Sequence, residues 1–204
     1  MEAAHVHISQ HISKLGAAIP SVSLPAGPTC RPDAPCFKLC YARKGRFMFQ
    51  NVKTPLERNL MIWKTDPERY EEEVEMAAYF SHWFRWHSSG DIPDDNYFAM
   101  MVRIAQHLPG VKFLCFTKRY EIVNKYLDIC QVLPENLSIV LSAWGDWIPE
   151  NPHNLPMSYI ALKKQECEIP EDAHPCSGFC GECVLGNYNC WALKKGESVV
   201  FKQH

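Results

Sequence analysis

Ten cysteines in 204 residues constrain this chain more than any other feature, because eight of them fall in two tight groups. Cys30, Cys36 and Cys40 form the first; Cys167, Cys176, Cys180, Cys183 and Cys190 form the second. Met1 to Gln10 lack the charged and apolar regions of a secretory signal, and no apolar run is long enough to span a bilayer. The expectation is a cytoplasmic protein that does not enter the membrane. Disulfides are not the default in a reducing cytosol, so the spacing points to metal or redox chemistry. Cys115 and Cys130 stand alone in apolar patterns and are expected to be buried as small hydrophobes.

The rest of the chain alternates strand and helix signals. Ile19 to Leu24 reads as a strand running into Pro25-Ala26-Gly27-Pro28, and the first cysteine group follows at once. Thr54-Pro55 reads as a helix start, with the helix running to Lys64, and Asp66-Pro67-Glu68 as a second start. Phe84-Arg85-Trp86 suggests a strand ending in the loop His87-Ser88-Ser89-Gly90-Asp91. Asp94 or Asp95 then caps a helix bearing Tyr97, Met101, Ile104, Ala105 and Leu108 on one face. Val111 to Thr117 and Leu137 to Ala143 are strand patterns. They flank a helix over Tyr120–Val132 that turns Val123, Tyr126, Leu127 and Cys130 inward. Ser158 to Leu162 and Ser198 to Phe201 complete the series.

Such alternation implies right-handed crossovers and a parallel sheet, hence an α/β fold. A complete eight-unit barrel typically needs about 250 residues, so a partial, open parallel β/α barrel fits better. We divide it into residues 1–165, the partial barrel with its cysteine loop, and residues 166–204, a C-terminal cysteine-rich segment plus a final strand. Sheets of this kind place ligands beyond the carboxyl ends of their strands. The loop after Leu24, the Ser88–Asp91 loop, Thr117-Lys118-Arg119 and Ser142-Ala143-Trp144 should therefore face one mouth, with Asp146 and Trp147 near it.

In the first group, five and then three residues separate the cysteines, so short loops can bring three sulfurs to one centre. Thiolates are the usual ligands of iron–sulfur clusters, and three of them on a 4Fe–4S cluster leave one iron open. Structural zinc is the competing reading. It prefers four protein ligands and often a two-residue knuckle, which this segment lacks unless His5, His7 or His11 completes it.

The three-cysteine loop after an opening strand resembles the radical S-adenosylmethionine (radical SAM) superfamily. In detail the chain looks closer to a phage-associated family labelled gene product 88. That likeness rests on Ser21-Val22-Ser23-Leu24-Pro25-Ala26-Gly27, Cys36 through Cys40-Tyr41-Ala42, His87-Ser88-Ser89-Gly90-Asp91, Phe116-Thr117-Lys118, and Cys180-Gly181-Glu182-Cys183 with Cys190-Trp191. The family label adds little chemistry, beyond the host cytoplasm as location if the chain is phage-encoded. The superfamily resemblance implies a TIM-barrel-like fold, SAM chelated by the open iron, and an electron donor protein. It also implies a glycine-rich acidic loop that binds the SAM amino group, a place held here by Ser88, Ser89, Gly90 and Asp91. Two features depart from the superfamily pattern: the usual cysteine spacing is three and two, and Leu39 stands where an aromatic is usual, with Tyr41 after the last cysteine. Read without the resemblance, the same loop is a helix-entry turn.

Cys176, Cys180 and Cys183 are spaced by three and two residues. With Cys190 or Cys167 they supply four ligands for an auxiliary iron–sulfur cluster, or for zinc through the Cys180-Gly181-Glu182-Cys183 knuckle. Five cysteines for four positions leave Cys167 as the natural spare. His87 and Lys118 are the candidate catalytic residues, although His87, which could be a proton donor or a ligand, reads first as a core histidine. Lys118 and Arg119 are placed to meet a carboxylate or phosphate. The formal net charge of −2 and a pI near 6.5 do not indicate nucleic acid.

Three readings follow. One is a radical SAM-like enzyme acting on an unknown substrate. Another is a zinc- or iron–sulfur-stapled binding module without turnover. The last keeps the cluster but uses its open iron for other redox or sulfur chemistry.

Overall fold

The computed structural model describes residues 4–162, 168–186 and 188–202. In chain order the elements begin with strands β1 (Ile8–Ser9) and β2 (Ser21–Val22), a short helix α1 (Cys36–Leu39), and the long helices α2 (Gln50–Thr65) and α3 (Pro67–Tyr79). Then come β3 (Trp83–Trp86), α4 (Asp95–His107), β4 (Lys112–Thr117), α5 (Tyr120–Cys130), β5 (Leu137–Ser142) and β6 (Met157–Ala161). The C-terminal part adds β7 (His174–Pro175), α6 (Cys180–Cys183) and β8 (Ser198–Lys202).

All eight strands form one sheet in the order β1-β2-β3-β4-β5-β6-β8-β7. Only the β1–β2 pair is antiparallel; the rest run parallel. From β2 to β6 the strands lie side by side in chain order, so each crossover steps the same way. The sheet ends in β1 on one edge and β7 on the other.

Strand alternation sorts the side chains onto two faces. Phe84 and Trp86, Phe113 and Cys115, and Ile139 and Leu141 join the core shared with helices α2 to α5. Their neighbours Leu114 and Val140, with Val199 of β8, join a second apolar cluster on the opposite face. Leu15, Ile19, Trp191 and Leu193 cover that second face, with Cys176, Cys180 and Cys190 packed at its margin. The C-terminal segment is thus a cover for the sheet as well as a supplier of its strands.

Local chemistry explains the helix starts. Asp66 and Asp94 accept from the backbone N–H groups of Arg69 and Tyr97, and Pro67 occupies the first position of α3. The Thr54-Pro55 signal misplaces the start of α2. The helix begins at Gln50, its first turn closing on the Phe49 carbonyl, and Pro55 sits inside it. A second correction concerns Cys130, which is exposed. It is the last residue of α5, and the buried stripe Ile122, Val123, Leu127 ends one turn earlier.

Candidate functional site

The loops at the carboxyl ends of the first three parallel strands are joined by one polar network. Ser23 Oγ accepts from Ser88 N–H, and Leu24 N–H donates to the Ser89 carbonyl. Thr29 Oγ1 donates to the Pro25 carbonyl and accepts from Asp91 N–H, both at 3.0 Å. Asp91 Oδ1 accepts from Thr117 Oγ1 at 2.5 Å and from Ile92 N–H, while Oδ2 accepts from Lys118 N–H at 2.9 Å. Three of the four loops expected at one mouth are joined in this way; Ser142, Ala143 and Trp144 of the fourth line the cavity described below, whereas Asp146 and Trp147 do not.

Within this network the four candidate cofactor-binding residues differ in role. Gly90 has φ +77°, and a Cβ there would stand 2.6 Å from the Leu24 carbonyl oxygen and 2.8 Å from Thr29 Oγ1. Only glycine lets the two loops close to this distance. Asp91 is buried with both oxygens engaged inside the protein; burial pushes its carboxyl upward, and the three hydrogen bonds oppose that shift. Ser88 lines the cavity described below, and its carbonyl accepts from the Tyr41 hydroxyl at 2.6 Å. The Ser89 hydroxyl is buried with no hydrogen-bond partner among the described residues.

His87 sits in the helix-side core. Its Nε2 is 3.1 Å from the Tyr97 hydroxyl, and its Nδ1 lies 3.9 Å from Cys115 Sγ. Burial, reinforced by the nearby Arg85 charge, lowers its pKa to about 3, so the imidazole is neutral at physiological pH. This is the core-histidine reading. Lys118, by contrast, lines the cavity, its Nζ 5.9 Å from the Trp144 ring centre.

The first cysteine group leaves the mouth on a thinly packed excursion. Cys30, Cys36 and Cys40 are partly exposed, and α1 buries none of its residues. Cys30 Sγ accepts from Gly27 N–H at 3.5 Å. Burial pushes its thiol up to about 11, with the Gly27 hydrogen bond opposing and the Cys36 and Cys40 thiols adding to the rise. Burial also raises Cys36, with Lys118 opposing. The three thiols are therefore electrostatic neighbours.

Cys176, Cys180, Cys183 and Cys190 also meet in space. Burial is the main cause that pushes Cys190 up to about 12 and raises Cys180; the Arg85 charge opposes both shifts, and Cys176 and Cys183 add to both. The Cys180 N–H donates to the Lys14 carbonyl, the Cys176 N–H to the Val200 carbonyl, and Ser138 Oγ to the Cys190 carbonyl. Cys167 lies outside the described residues. Among the described residues, no three His, Cys, Asp or Glu side chains are arranged to hold a metal ion. The sulfurs of each group are near one another without converging on a point.

Between the two groups lies a cavity of about 820 Å³ on the second face of the sheet. Tyr41, Ser88 and Lys118 line it on the side of the first group, Cys176, Cys180 and Cys190 on the side of the second, and Arg85 and Phe116 along the sheet. The sequence reading missed Arg85. Its signal was a charge at an alternating position of the strand Trp83-Phe84-Arg85-Trp86, opposite in facing to the two buried aromatics.

Fold and site together define a mixed α/β protein with a mostly parallel sheet and a cavity lined by the second cysteine group. The chain belongs to the gene product 88 family, whose model matches residues 3–182. The match covers the strands from β1 through β7, the polar network and Cys167, Cys176 and Cys180 of the second group, and ends before Cys183 and Cys190. No curated protein and no solved structure matches the chain. No helix among the described residues is long and apolar enough to cross a membrane.

Proposed function

We propose that this chain is an iron–sulfur protein with a radical SAM-like partial barrel, in which Cys30, Cys36 and Cys40 ligate a 4Fe–4S cluster. Supporting this reading is the position of the three-cysteine loop. It leaves the carboxyl end of the first parallel strand, and Tyr41, next to Cys40, lines a large cavity whose other side carries the second cysteine group. The donor set fits in kind and number: three thiols, a backbone N–H already directed at Cys30 Sγ, and partial exposure for assembly. When bound, such a cluster supplies one electron that cleaves SAM to methionine and a 5′-deoxyadenosyl radical, which takes a hydrogen atom from a substrate. The chain's own part is to hold the substrate in the cavity and to keep water from it. Cys176, Cys180, Cys183 and Cys190 would hold an auxiliary iron–sulfur cluster or a zinc ion, and an electron donor protein would serve the first site.

Protons must leave the thiols as metal binds. Cys30 and Cys36 are both held above the ordinary thiol range, so loading weakens as pH falls.

A second reading keeps the cluster without SAM. It is favoured by Asp91, whose carboxylate is used within the protein instead of being presented to an incoming ammonium. Anaerobic purification with iron, sulfide and zinc assays tests both. Iron with acid-labile sulfide, lost in part in Cys36→Ala, supports a cluster in the first group; zinc without sulfide overturns it in favour of a metal-stapled module. Adding SAM and dithionite separates the two cluster readings. The enzyme makes 5′-deoxyadenosine, and Cys36→Ala abolishes it; a cluster-bearing protein that makes none follows the second reading.

A further inference from the structure

The cations lining the cavity differ from the ion-paired ones elsewhere in the protein. Arg31, Lys53, Arg69, Arg103, Arg119 and Lys125 all pair with carboxylates. Lys14, Arg85 and Lys118 face the cavity, and none of them pairs with a carboxylate among the described residues. Each instead lies over an aromatic ring. Lys14 Nζ is 5.0 Å from the Phe201 centre, Arg85 Cζ 4.3 Å from that of Phe116, and Lys118 Nζ 5.9 Å from that of Trp144. No described lining residue is acidic.

Arg85 is the most confined of the three. It rises from the middle of β3, its Nε donates to the Trp86 carbonyl at 3.0 Å, and its plane is fixed against Phe116. That leaves Nη1 and Nη2 as a preset fork, the geometry that suits a carboxylate or phosphate. The remaining walls are largely apolar, with Leu114, Phe116, Trp144 and Trp191 among them.

We propose that the cavity takes an organic anion, a carboxylate or phosphate head on an apolar or aromatic body, with Arg85 gripping the head and Lys118 and Lys14 adding attraction. The proposal deepens the reading above by naming the guest of the same cavity, and it rests on that cavity being the substrate site. The competing use of these cations is to balance the charge of metal-bound thiolates, since Arg85 and Lys14 both act on Cys180.

Equilibrium dialysis of the anaerobically purified full chain, with its metal content assayed, tests the proposal. The probes are 2-naphthoate, 2-naphthyl phosphate and the neutral 2-naphthalenemethanol. Wild-type protein is expected to prefer an anionic probe over the alcohol by about tenfold, the scale of one charge-assisted contact. Arg85→Gln should lose most of that preference while binding the alcohol unchanged, and Arg85→Lys should keep part of it. Whichever of naphthoate and naphthyl phosphate binds tighter assigns the head group. If Arg85→Gln does not fold by circular dichroism, Lys118→Gln must lower the preference in its place. Equal binding of all three probes, binding of none, or a preference unmoved by these variants would overturn the proposal. So would a preference that disappears when the same protein is loaded with metal, which would give the cations to the thiolates. Anion preference in a protein without iron and sulfide would sink the cluster reading and leave this one standing; a cluster without the preference would do the reverse.

Discussion

The second cysteine group lines the cavity and the first adjoins it through Tyr41, and the two are held in place in different ways. The second is built into the protein. Cys176, Cys180 and Cys190 pack against an apolar cluster that contains Trp191, and their backbone groups bond to Val200, Lys14 and Ser138. The first is held at its root, where Thr29 and Gly90 meet, and beyond that by fewer contacts, Arg31 on Glu121 and the Tyr41 hydroxyl on the Ser88 carbonyl. Leu39, Tyr41, Met48 and Phe49 are all exposed. A site whose ligands are positioned by the core is suited to structural duty. A site on a looser loop would leave room for an exchangeable ligand, and a bound metal would have to set its final geometry.

That contrast breaks most visibly at Trp191. The side chain is 5% exposed, meets Trp83 edge to face, and donates from Nε1 to the Phe84 carbonyl at 3.0 Å. Trp191→Ala should lower unfolding stability by about 3–5 kcal/mol, measured by urea denaturation, and should release metal from the second group before the first. Equal loss from both groups would mean that the second is not anchored by this packing.

Gly90→Ala strikes the other anchor. The new methyl would collide with the Leu24 carbonyl and Thr29 Oγ1 at a backbone angle that disfavours any Cβ. A cost of about 1–3 kcal/mol is expected. Iron loading of Cys30, Cys36 and Cys40 should fall, while the second group keeps its metal.

Much of this contrast was visible in the sequence. The parallel strands, the caps at Asp66 and Asp94 and the shared mouth all follow from periodicity and local chemistry. Other features did not, for physical reasons. Strands β1 and β7 have two residues each, too few for a period to register. The exposure of Cys130 depends on where the neighbouring element stops, which a helical period cannot express. Asp91 matched the place of an ammonium acceptor, yet its carboxylate serves Thr117 and Lys118. Sequence position does not reveal which partner reaches a carboxylate first. Arg85 was readable in principle, as a charge facing away from two core aromatics, but its value depends on the cavity that the C-terminal cover creates.

A smaller effect, spread over pH, is expected at His87, which opens the loop joined to the first group. Its folded pKa of about 3 lies below the unfolded value of about 6.5. The unfolded chain therefore binds the extra proton first. Stability is complete above the unfolded value and falls by up to about 1.4 kcal/mol per pH unit as pH drops below it, until the folded value is reached. Asp91, whose carboxyl is raised, changes stability in the opposite sense, but it is common to both proteins in the comparison. Urea unfolding of metal-free wild type and His87→Gln between pH 6.5 and 4.5 isolates the histidine. The variant's stability should depend less on pH by nearly one proton.

The smallest expected effect tests the contrast most directly. In metal-free protein Cys36→Ala removes a partly exposed thiol at the start of α1, a helix with no buried residue. Its unfolding stability should match that of wild type within about 0.5 kcal/mol. Cys190→Ala removes a sulfur packed against the apolar cluster of the second face, and about 1 kcal/mol should be lost with the buried contact. With metal present the order should hold for stability and reverse for function. Cys36→Ala would then abolish cluster chemistry in a protein that is still well folded, and Cys190→Ala would weaken the fold before it weakens the chemistry. Two metal-free variants of equal stability would show that the second group, too, is ordered by its metal.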